Sequence, residues 1–259
     1  MRYLNYNMGM LSLLWVIWWG WLGAAAVNYL SDVLPRTRQL TRPACRTCEH
    51  TLPWMSLLYP SGCPGCGDRP SPRTWVVFLL LPLFSALIWY FPPPKLGYYG
   101  GMIWVVYFAL VAVIDIEHRL ILHPVSLVGA VLGAISGTVL HGFLPTLLGG
   151  AAGFAIMLVL YLLGVVFLKW VSRRRGEPVD EVALGFGDVN LGGINGLLLG
   201  WPGIIAGLFL AILIGGLISG VYLVYQLVRR RYRAFAALPY GPFLILSVLY
   251  LVYLFPYLN

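Results

Sequence analysis

Two groups of residues in this sequence have side chains suited to chemistry: a set of cysteines and a pair of aspartates. Cys45, Cys48, Cys63 and Cys66 form a C-x2-C-x14-C-x2-C pattern. Two C-x-x-C turns can supply the four thiolates of a tetrahedral zinc site. Because four thiolates leave no position for water, the pattern predicts a structural zinc rather than a catalytic metal. A disulfide-bonded or empty loop is the alternative, and a reducing cytoplasm disfavours the disulfide.

The two aspartates lie at the ends of apolar segments. Asp115 follows a long apolar run, and Asp188 follows two closely spaced glycines, Gly185 and Gly187. These glycines remove side chains beside the acid, so that another backbone, such as an extended substrate peptide, can approach it. Two carboxyl groups that share a proton can activate a water molecule and protonate a leaving amine. We therefore predict that Asp115 and Asp188 are the catalytic pair of a protease.

Other interpretations of the acids stay open from the sequence alone. Asp115 can be a charge at the membrane boundary, and Asp188 can be a helix cap. His118 can act as a base, but no Ser or Cys nucleophile is evident near it, and Glu117 points away if its helix continues. Acids within membrane helices also serve as proton relays, which gives a transporter as an alternative function.

The elements that must position these side chains are membrane helices. The sequence is 60% hydrophobic and 10% charged, whereas a soluble domain has about 25% charged residues. We therefore predict an all-α polytopic membrane protein, whose first segment is too long for a signal peptide and is expected to be retained. Stretches of about 20 apolar residues predict about eight transmembrane helices, at 8–30, 74–92, 98–114, 121–141, 145–169, 189–201, 204–227 and 240–257.

The positions of the basic residues predict the orientation of these spans. With the N-terminus outside, every Lys and Arg except Arg2 and Lys95 falls on the cytoplasmic side or at a cytoplasmic helix end. This orientation places both aspartates at the cytoplasmic face. The net charge of +8 therefore reflects membrane orientation, and no nucleic-acid surface is predicted. The expected domains are a first transmembrane helix (1–30), a cytoplasmic four-Cys zinc-binding domain (31–73) and a membrane peptidase domain with both aspartates (74–259).

Five features together resemble the type IV prepilin peptidases, which are membrane aspartyl proteases of the GxGD type. The last of them is Leu238-Pro239-Tyr240-Gly241-Pro242-Phe243, which is similar to the family's I-P-F-G-P-F. The resemblance implies support of the site by Gly185, Gly187, Asn190, Pro239, Gly241 and Pro242. The other four features are Gly23–Asn28 followed by Leu34-Pro35-Arg36, the paired C-x-x-C loop with Leu52-Pro53-Trp54, Ile114-Asp115, and Gly185-Phe186-Gly187-Asp188.

The resemblance implies an activity, partners and a location. It implies removal of the basic leader from type IV prepilins or pseudopilins at the cytoplasmic face of the bacterial inner membrane. It therefore implies substrates that belong to pilus assembly or protein secretion, and a protein surrounded by membrane lipid. Many bacterial members of the family then N-methylate the new terminus with S-adenosylmethionine.

Two departures from the family pattern bear on this expectation. Asn190 stands where the family usually has Lys, which removes a cation near the acids. Phe78 stands where the family has an acid linked to methylation, so methylation by this chain stays open. A catalytically silent assembly protein that binds its partner through the zinc loop is a further alternative function.

Overall fold

A computed structural model of the chain describes residues 10–175, 184–229 and 239–258. Arg2, the 176–183 part of the predicted cytoplasmic loop, and Leu238 therefore lie outside the described residues. The described residues form helices and no strands, which confirms the predicted all-α class. The chain divides into two compact units, Met1–Leu110 and Val111–Asn259.

Helices lie at all eight positions where spans were predicted. The last of them, α8, continues through a π-helical turn at Tyr250–Leu254 into α9 at Phe255–Leu258. A short 3-10 turn lies in the cysteine loop at Trp54–Leu57. The helices are α1 (Met10–Thr37), α2 (Pro72–Tyr90), α3 (Gly97–His118), α4 (His123–His141), α5 (Phe143–Arg175), α6 (Phe186–Leu199), α7 (Gly203–Val228) and α8 (Gly241–Leu249).

Six helices of the described part of the chain, α1 to α5 and α7, are long and apolar enough to cross a membrane. They indicate a membrane protein. The other two positions differ from the prediction of eight full spans. Helix α6 has 14 residues, which at 1.5 Å per residue gives about 21 Å, short of a hydrocarbon core of about 30 Å. The apolar helix Gly241–Leu254 is also shorter than a full span.

Helix α1 is longer than predicted. The apolar stretch stops near residue 30, but the helix continues to Thr37 and includes Asp32 and Arg36. Charged residues end a membrane-spanning stretch without ending a helix, because the exposed face of the added turns is solvated. The residues between α1 and α2 carry the cysteines.

In the first unit, α1 packs closely against α2. Gly20 faces the backbone of α2 at Pro82, and a Cβ at Gly20 would lie 2.8 Å from the Pro82 nitrogen. The Ser85 hydroxyl donates a 2.6 Å hydrogen bond to the carbonyl of Val16 in α1. Further along, the rings of Trp21 and Phe78 stack with their centroids 4.6 Å apart. This packing fixes the start of α2 against the end of α1, where the cysteine loop is attached.

In the second unit, the short helix α6 is enclosed by its neighbours α4, α5, α7 and α8. Nine of its fourteen residues are buried. Glycines make this enclosure possible: the backbone of α5 at Gly149 and Gly153 lies directly against the backbone of α6 at Gly196 and Gly192. Small residues permit such close approach between membrane helices. Because α6 carries Asp188 in its first turn, this packing fixes the position of that acid.

Candidate functional site

The cysteine cluster is built from two short turns in the loop between α1 and α2. The first turn is closed by a hydrogen bond of 2.9 Å from the Cys45 amide to the carbonyl of His50. The second is closed by bonds from the Cys63 amide to Asp68 and from the Gly67 amide back to Cys63. Gly67 has a φ of +72°, a conformation that glycine adopts without strain. Each turn therefore aims two sulfurs at a common point.

The four sulfurs can hold a metal ion. All four Sγ atoms lie within 4.8 Å of one another. The distances from Cys45 to Cys66 and from Cys48 to Cys63 are both 3.6 Å. A tetrahedral site with Zn–S bonds of about 2.3 Å needs sulfurs about 3.8 Å apart, so the donor set is consistent with structural zinc.

The surrounding backbone also favours the ligand form of one thiol. The backbone amides of Cys48 and Thr47 hydrogen-bond the sulfur of Cys45 and lower the pKa of its thiol to about 6. A thiolate is the form that binds metal. Cys45 is therefore ready to act as a ligand at neutral pH.

Asp188 lies in the first turn of α6, where its side chain is only 7% exposed. The N-cap of the helix is Gly185, and the Gly185 amide donates a 2.9 Å hydrogen bond to Oδ2 of Asp188. The Asp188 amide in turn donates to the Gly185 carbonyl at 3.0 Å. Because Gly185 has no side chain, only the Asp188 half of a capping box is present. Asp188 therefore accepts a hydrogen bond from an amide at the start of the helix, as the capping interpretation predicted. It does so from the third position of the helix and not from the N-cap.

Asp115 lies in the last turn of α3 and is 6% exposed. Its Oδ2 atom is buried and has no hydrogen-bond partner among the described residues. Gly241, the first residue of α8, lies directly against this carboxyl group: a Cβ at Gly241 would be 2.5 Å from Oδ2. The Gly241 amide faces the same carboxyl group. Only a glycine leaves room for Asp115 in this arrangement.

The structure brings the two acids near each other, since the Asp115 charge acts on Asp188. The start of α8 lies beside both, with Gly241 next to Asp115 and Tyr240 within electrostatic reach of Asp188. No role was predicted for Tyr240. In the sequence, only its position within the Pro-Tyr-Gly-Pro segment indicates that it lies near the site. The site therefore draws on α3, α6 and the beginning of α8.

The two glycines that precede Asp188 have different surroundings. A Cβ at Gly187 would lie 2.7 Å from Cβ of Ile121, in the segment between α3 and α4. Ile121 therefore occupies the space beside Gly187, and the interpretation of this glycine as room for a substrate stays a prediction. At Gly185, the nearest neighbour of such a Cβ is Oδ2 of Asp188 at 3.7 Å. Among the described residues, no other atom lies closer on that side of the acid.

The remaining predicted support residues lie on the same elements but away from direct contact. Asn190 is half-buried in α6, and among the described residues no hydrogen bond or ion pair joins it to either acid. Pro239 precedes the cap of α8, and Pro242 lies in its first turn; both are half-buried. Their rings restrict the backbone on either side of Tyr240 and Gly241. We therefore expect Pro239 and Pro242 to affect the acids only through the positions of Tyr240 and Gly241.

The rival residues next to Asp115 face outward. Glu117 and His118 are both exposed, and their side chains approach to 3.9 Å. Arg119 also lies outside the helix, but its charge acts on Asp115. A cation is therefore present near the acids although Asn190 replaces the usual Lys.

Asn195 is a functional candidate that the sequence reasoning missed. It lies in α6 two turns after Asp188 and is 1% exposed. Its Nδ2 donates a 3.3 Å hydrogen bond to the carbonyl of Leu244 in α8, which also accepts the Ser247 hydroxyl at 2.9 Å. Asn195 thus ties the helix of Asp188 to the helix that contacts Asp115. In the sequence, the only indication of this role is a polar Asn within an apolar run, seven residues after Asp188.

A comparison with protein families gives one match. Residues 102–220 match the family described as the type IV leader peptidase family. No curated protein and no solved structure matches the chain. The matched stretch contains Asp115, Asp188 and the helices α4, α5 and α6 that pack around the second acid. The resemblance seen in the motifs is therefore confirmed over residues 102–220, and this part of the chain, which carries both aspartates, is similar to the type IV leader peptidase family.

Proposed function

We propose that this chain is a membrane aspartyl endopeptidase that removes the basic leader from type IV prepilins or pseudopilins. Asp115 and Asp188 are its catalytic residues in this proposal. The family match supports a leader peptidase-like protease. The aspartic mechanism, the substrate and the residue roles are the finer part of the proposal, and they rest on the geometry around the two acids.

One observation carries the proposal: two buried carboxyl groups from different helices interact electrostatically. The Gly241 amide faces the Asp115 carboxyl group, but its Oδ2 atom has no hydrogen-bond partner among the described residues. A buried polar atom without a hydrogen bond is costly, so it needs a functional or solvent partner. A shared proton and a bound water molecule supply such partners. The same low-dielectric surroundings disfavour ionisation of both groups at once.

The chemistry follows from this arrangement. The ionised carboxyl group takes a proton from water as the water oxygen attacks the scissile carbonyl carbon. The protonated carboxyl group stabilises the developing oxyanion by donating a hydrogen bond. The C–N bond then breaks, and the leaving amine takes a proton from the pair, which restores one protonated and one ionised acid. Such a coupled pair titrates as a unit, so a bell-shaped dependence of cleavage on pH is expected.

The open side of Asp188 is the proposed approach for substrate. Gly185 is exposed, and the described atom nearest to a Cβ there is Oδ2 of Asp188 itself at 3.7 Å, so we expect that an extended peptide backbone can pass close to the acid. In the predicted orientation this approach is at the cytoplasmic face of the bacterial inner membrane. The adjoining helices would accept the apolar segment of a pilin after its leader has been cleaved.

The cysteine cluster completes the proposal as a structural zinc site. Cys45, Cys48, Cys63 and Cys66 would hold the ion, whose closed four-sulfur shell stabilises a loop too small to have a hydrophobic core. The loop has no part in the proposed cleavage step. Its contribution is to fold the segment between α1 and α2.

Methylation of the new terminus is not part of the proposal, because the residues do not fit the methyl donor that the resemblance implies. S-adenosylmethionine carries a cationic sulfonium. The position of the family's acid is Phe78, which is buried and stacked on Trp21. The nearby Asp32 already pairs with Arg46 and Arg73. The described residues around Phe78 therefore leave no unengaged acid for a sulfonium.

Co-expression with a prepilin tests the proposed activity. The wild-type chain should shorten the prepilin at the Gly that ends its leader, as measured by intact mass. Asp115→Asn and Asp188→Asn should each abolish the shortening, while Glu117→Gln, an exposed acid two residues away, should retain it. Leader removal by either Asp variant would refute the proposed pair. An unmodified new terminus in the wild-type product is also expected, and a mass increase of one methyl group would show that the chain methylates after all.

A further inference from the structure

A second cleft lies wholly within the first unit, between the end of α1, the cysteine loop and the start of α2. It has a volume of about 180 Å³ and is lined at its outer end by the exposed residues Arg36, Arg42 and Arg69. We call it the arginine cleft. No residue of the proposed catalytic pair lines it. Its function is therefore separate from the proposed cleavage.

Arginines outnumber aspartates in the lining of the arginine cleft. Its lining includes four arginines and two aspartates. Asp32 is already paired with Arg46 and Arg73, and Asp68 accepts a 2.6 Å hydrogen bond from Thr47. Among the residues that the structure describes, neither Asp32 nor Asp68 forms an ion pair with Arg36, Arg42 or Arg69. Arg36, Arg42 and Arg69 therefore line the cleft as exposed residues that are not paired with either aspartate.

The inner end of the arginine cleft has a different character. Phe78 forms an apolar wall there and is 4% exposed. Asn28 lines the same end at 7% exposure, and its buried Oδ1 has no hydrogen-bond partner. Its Nδ2 makes only a long bond of 3.4 Å, to the carbonyl of Thr74. An occupant with a hydroxyl group would supply the donor that Oδ1 lacks.

We propose that the arginine cleft binds the headgroup of an anionic, hydroxyl-bearing phospholipid of the phosphatidylglycerol type. The phosphate would lie among Arg36, Arg42 and Arg69, because planar guanidinium groups bind phosphate through paired hydrogen bonds. Basic clusters just beyond a membrane helix attract anionic lipid, and Arg36 lies in the last turn of α1.

The alternative to a specific site is a basic surface that attracts any anionic membrane without a defined pocket. The chain provides a matched control for this alternative. Lys169, Arg173 and Arg174 are also three exposed basic residues at the end of a membrane helix, α5, and they line no part of the cleft. Replacing either set of three basic residues removes the same charge. Lipid binding should therefore differ between the two variants only if the cleft is a specific site.

The test uses the full chain in zwitterionic detergent and counts bound lipid by native mass spectrometry. We expect saturable binding of phosphatidylglycerol and no comparable binding of phosphatidylcholine. The triple variant Arg36→Ala, Arg42→Ala, Arg69→Ala should weaken the binding by roughly 100-fold, since each basic residue contributes about 1 kcal/mol near an anionic surface. The triple variant Lys169→Ala, Arg173→Ala, Arg174→Ala should bind as the wild type does.

Two further measurements guard against misfolding and separate the source of the phosphate. Phosphatidylglycerol should raise the melting temperature of the wild type by more than that of Arg42→Ala, a single exposed change that leaves the fold intact. Soluble glycerol 3-phosphate should bind far more weakly than the lipid. Equal losses in the two triple variants, equal binding of phosphatidylcholine, or equally tight binding of glycerol 3-phosphate would each overturn the proposal.

Discussion

The cysteine cluster and the aspartate site both collect polar side chains, but the chain holds them together in opposite ways. The cysteines come from two neighbouring turns of one loop, closed by their own backbone hydrogen bonds. The aspartates come from α3 and α6, and their positions depend on glycines that let helices and loops approach closely. In the proposed zinc form, the bound ion would stabilise the cluster, whereas packing stabilises the aspartate site. Substitutions at the cluster should therefore lower the zinc content, whereas substitutions at the aspartate site should lower the cleavage rate.

The largest expected effect is at the cluster. Cys45→Ser should reduce the metal content from about one zinc per chain to a small fraction, because structural zinc contributes on the order of 10 kcal/mol to such folds. Elemental analysis of the purified protein measures this directly. Ser61→Ala, an exposed change in the same loop, should keep its zinc. Retained zinc in the Cys45 variant would show that the four sulfurs do not act as one site.

The next effect is at the contact between α8 and Asp115. Gly241→Ala should reduce peptide cleavage by about 100-fold, since its Cβ would displace the Asp115 carboxyl and a shift of 1 Å can cost that much. Gly220→Ala is the matched control, because nothing lies within 4 Å of a Cβ at Gly220 in α7. Zinc content should be unchanged in both. Equal activity of the two variants would remove the role assigned to Gly241.

The smallest effect is at Asn195. Asn195→Leu removes a buried interhelical hydrogen bond, and such bonds contribute about 0.6 kcal/mol on average in membrane proteins. Cleavage should therefore fall only severalfold, with the melting temperature nearly unchanged because the unpartnered Oδ1 is removed as well. Ser247→Ala also removes a buried bond to the Leu244 carbonyl, but one within α8. It should leave cleavage at the wild-type rate, and a loss equal to that of Asn195→Leu would contradict a specific tie between the helices.

The same contrast explains which features could be predicted from the sequence. The spacing of the cysteines specifies their geometry because all four lie in one loop, and apolar stretches locate the helices because each helix satisfies its own backbone hydrogen bonds. The contact of Gly241 with Asp115 joins residues that are distant in sequence, so only the packed helices show it. For the same reason, Ile121 could not be recognised as the neighbour of Gly187. The motif indicated that these glycines matter but not what they touch.

Helix length was the other limit. A membrane span was expected to need about 20 apolar residues, and the shorter stretch at 189–201 was predicted to be one of the eight spans. The structure shows a 14-residue helix enclosed by four others. Enclosure frees a helix from the need to match the thickness of the bilayer, because protein rather than lipid surrounds it. The spacing of glycines in α5 and α6 indicates close packing of these two helices, but it can be interpreted only when the helices are known to be neighbours.

The central claim is that Asp115 and Asp188 act as one catalytic unit. The most direct measurement is the cleavage rate of a prepilin peptide by the purified chain, for Asp115→Asn, Asp188→Asn and the double variant. Residues that act as a unit are strongly non-additive. Each single variant should lose activity to the background rate, and the double variant should be no worse than either. Measurable cleavage by one single variant, or a double variant whose loss is the product of two partial losses, would contradict the account.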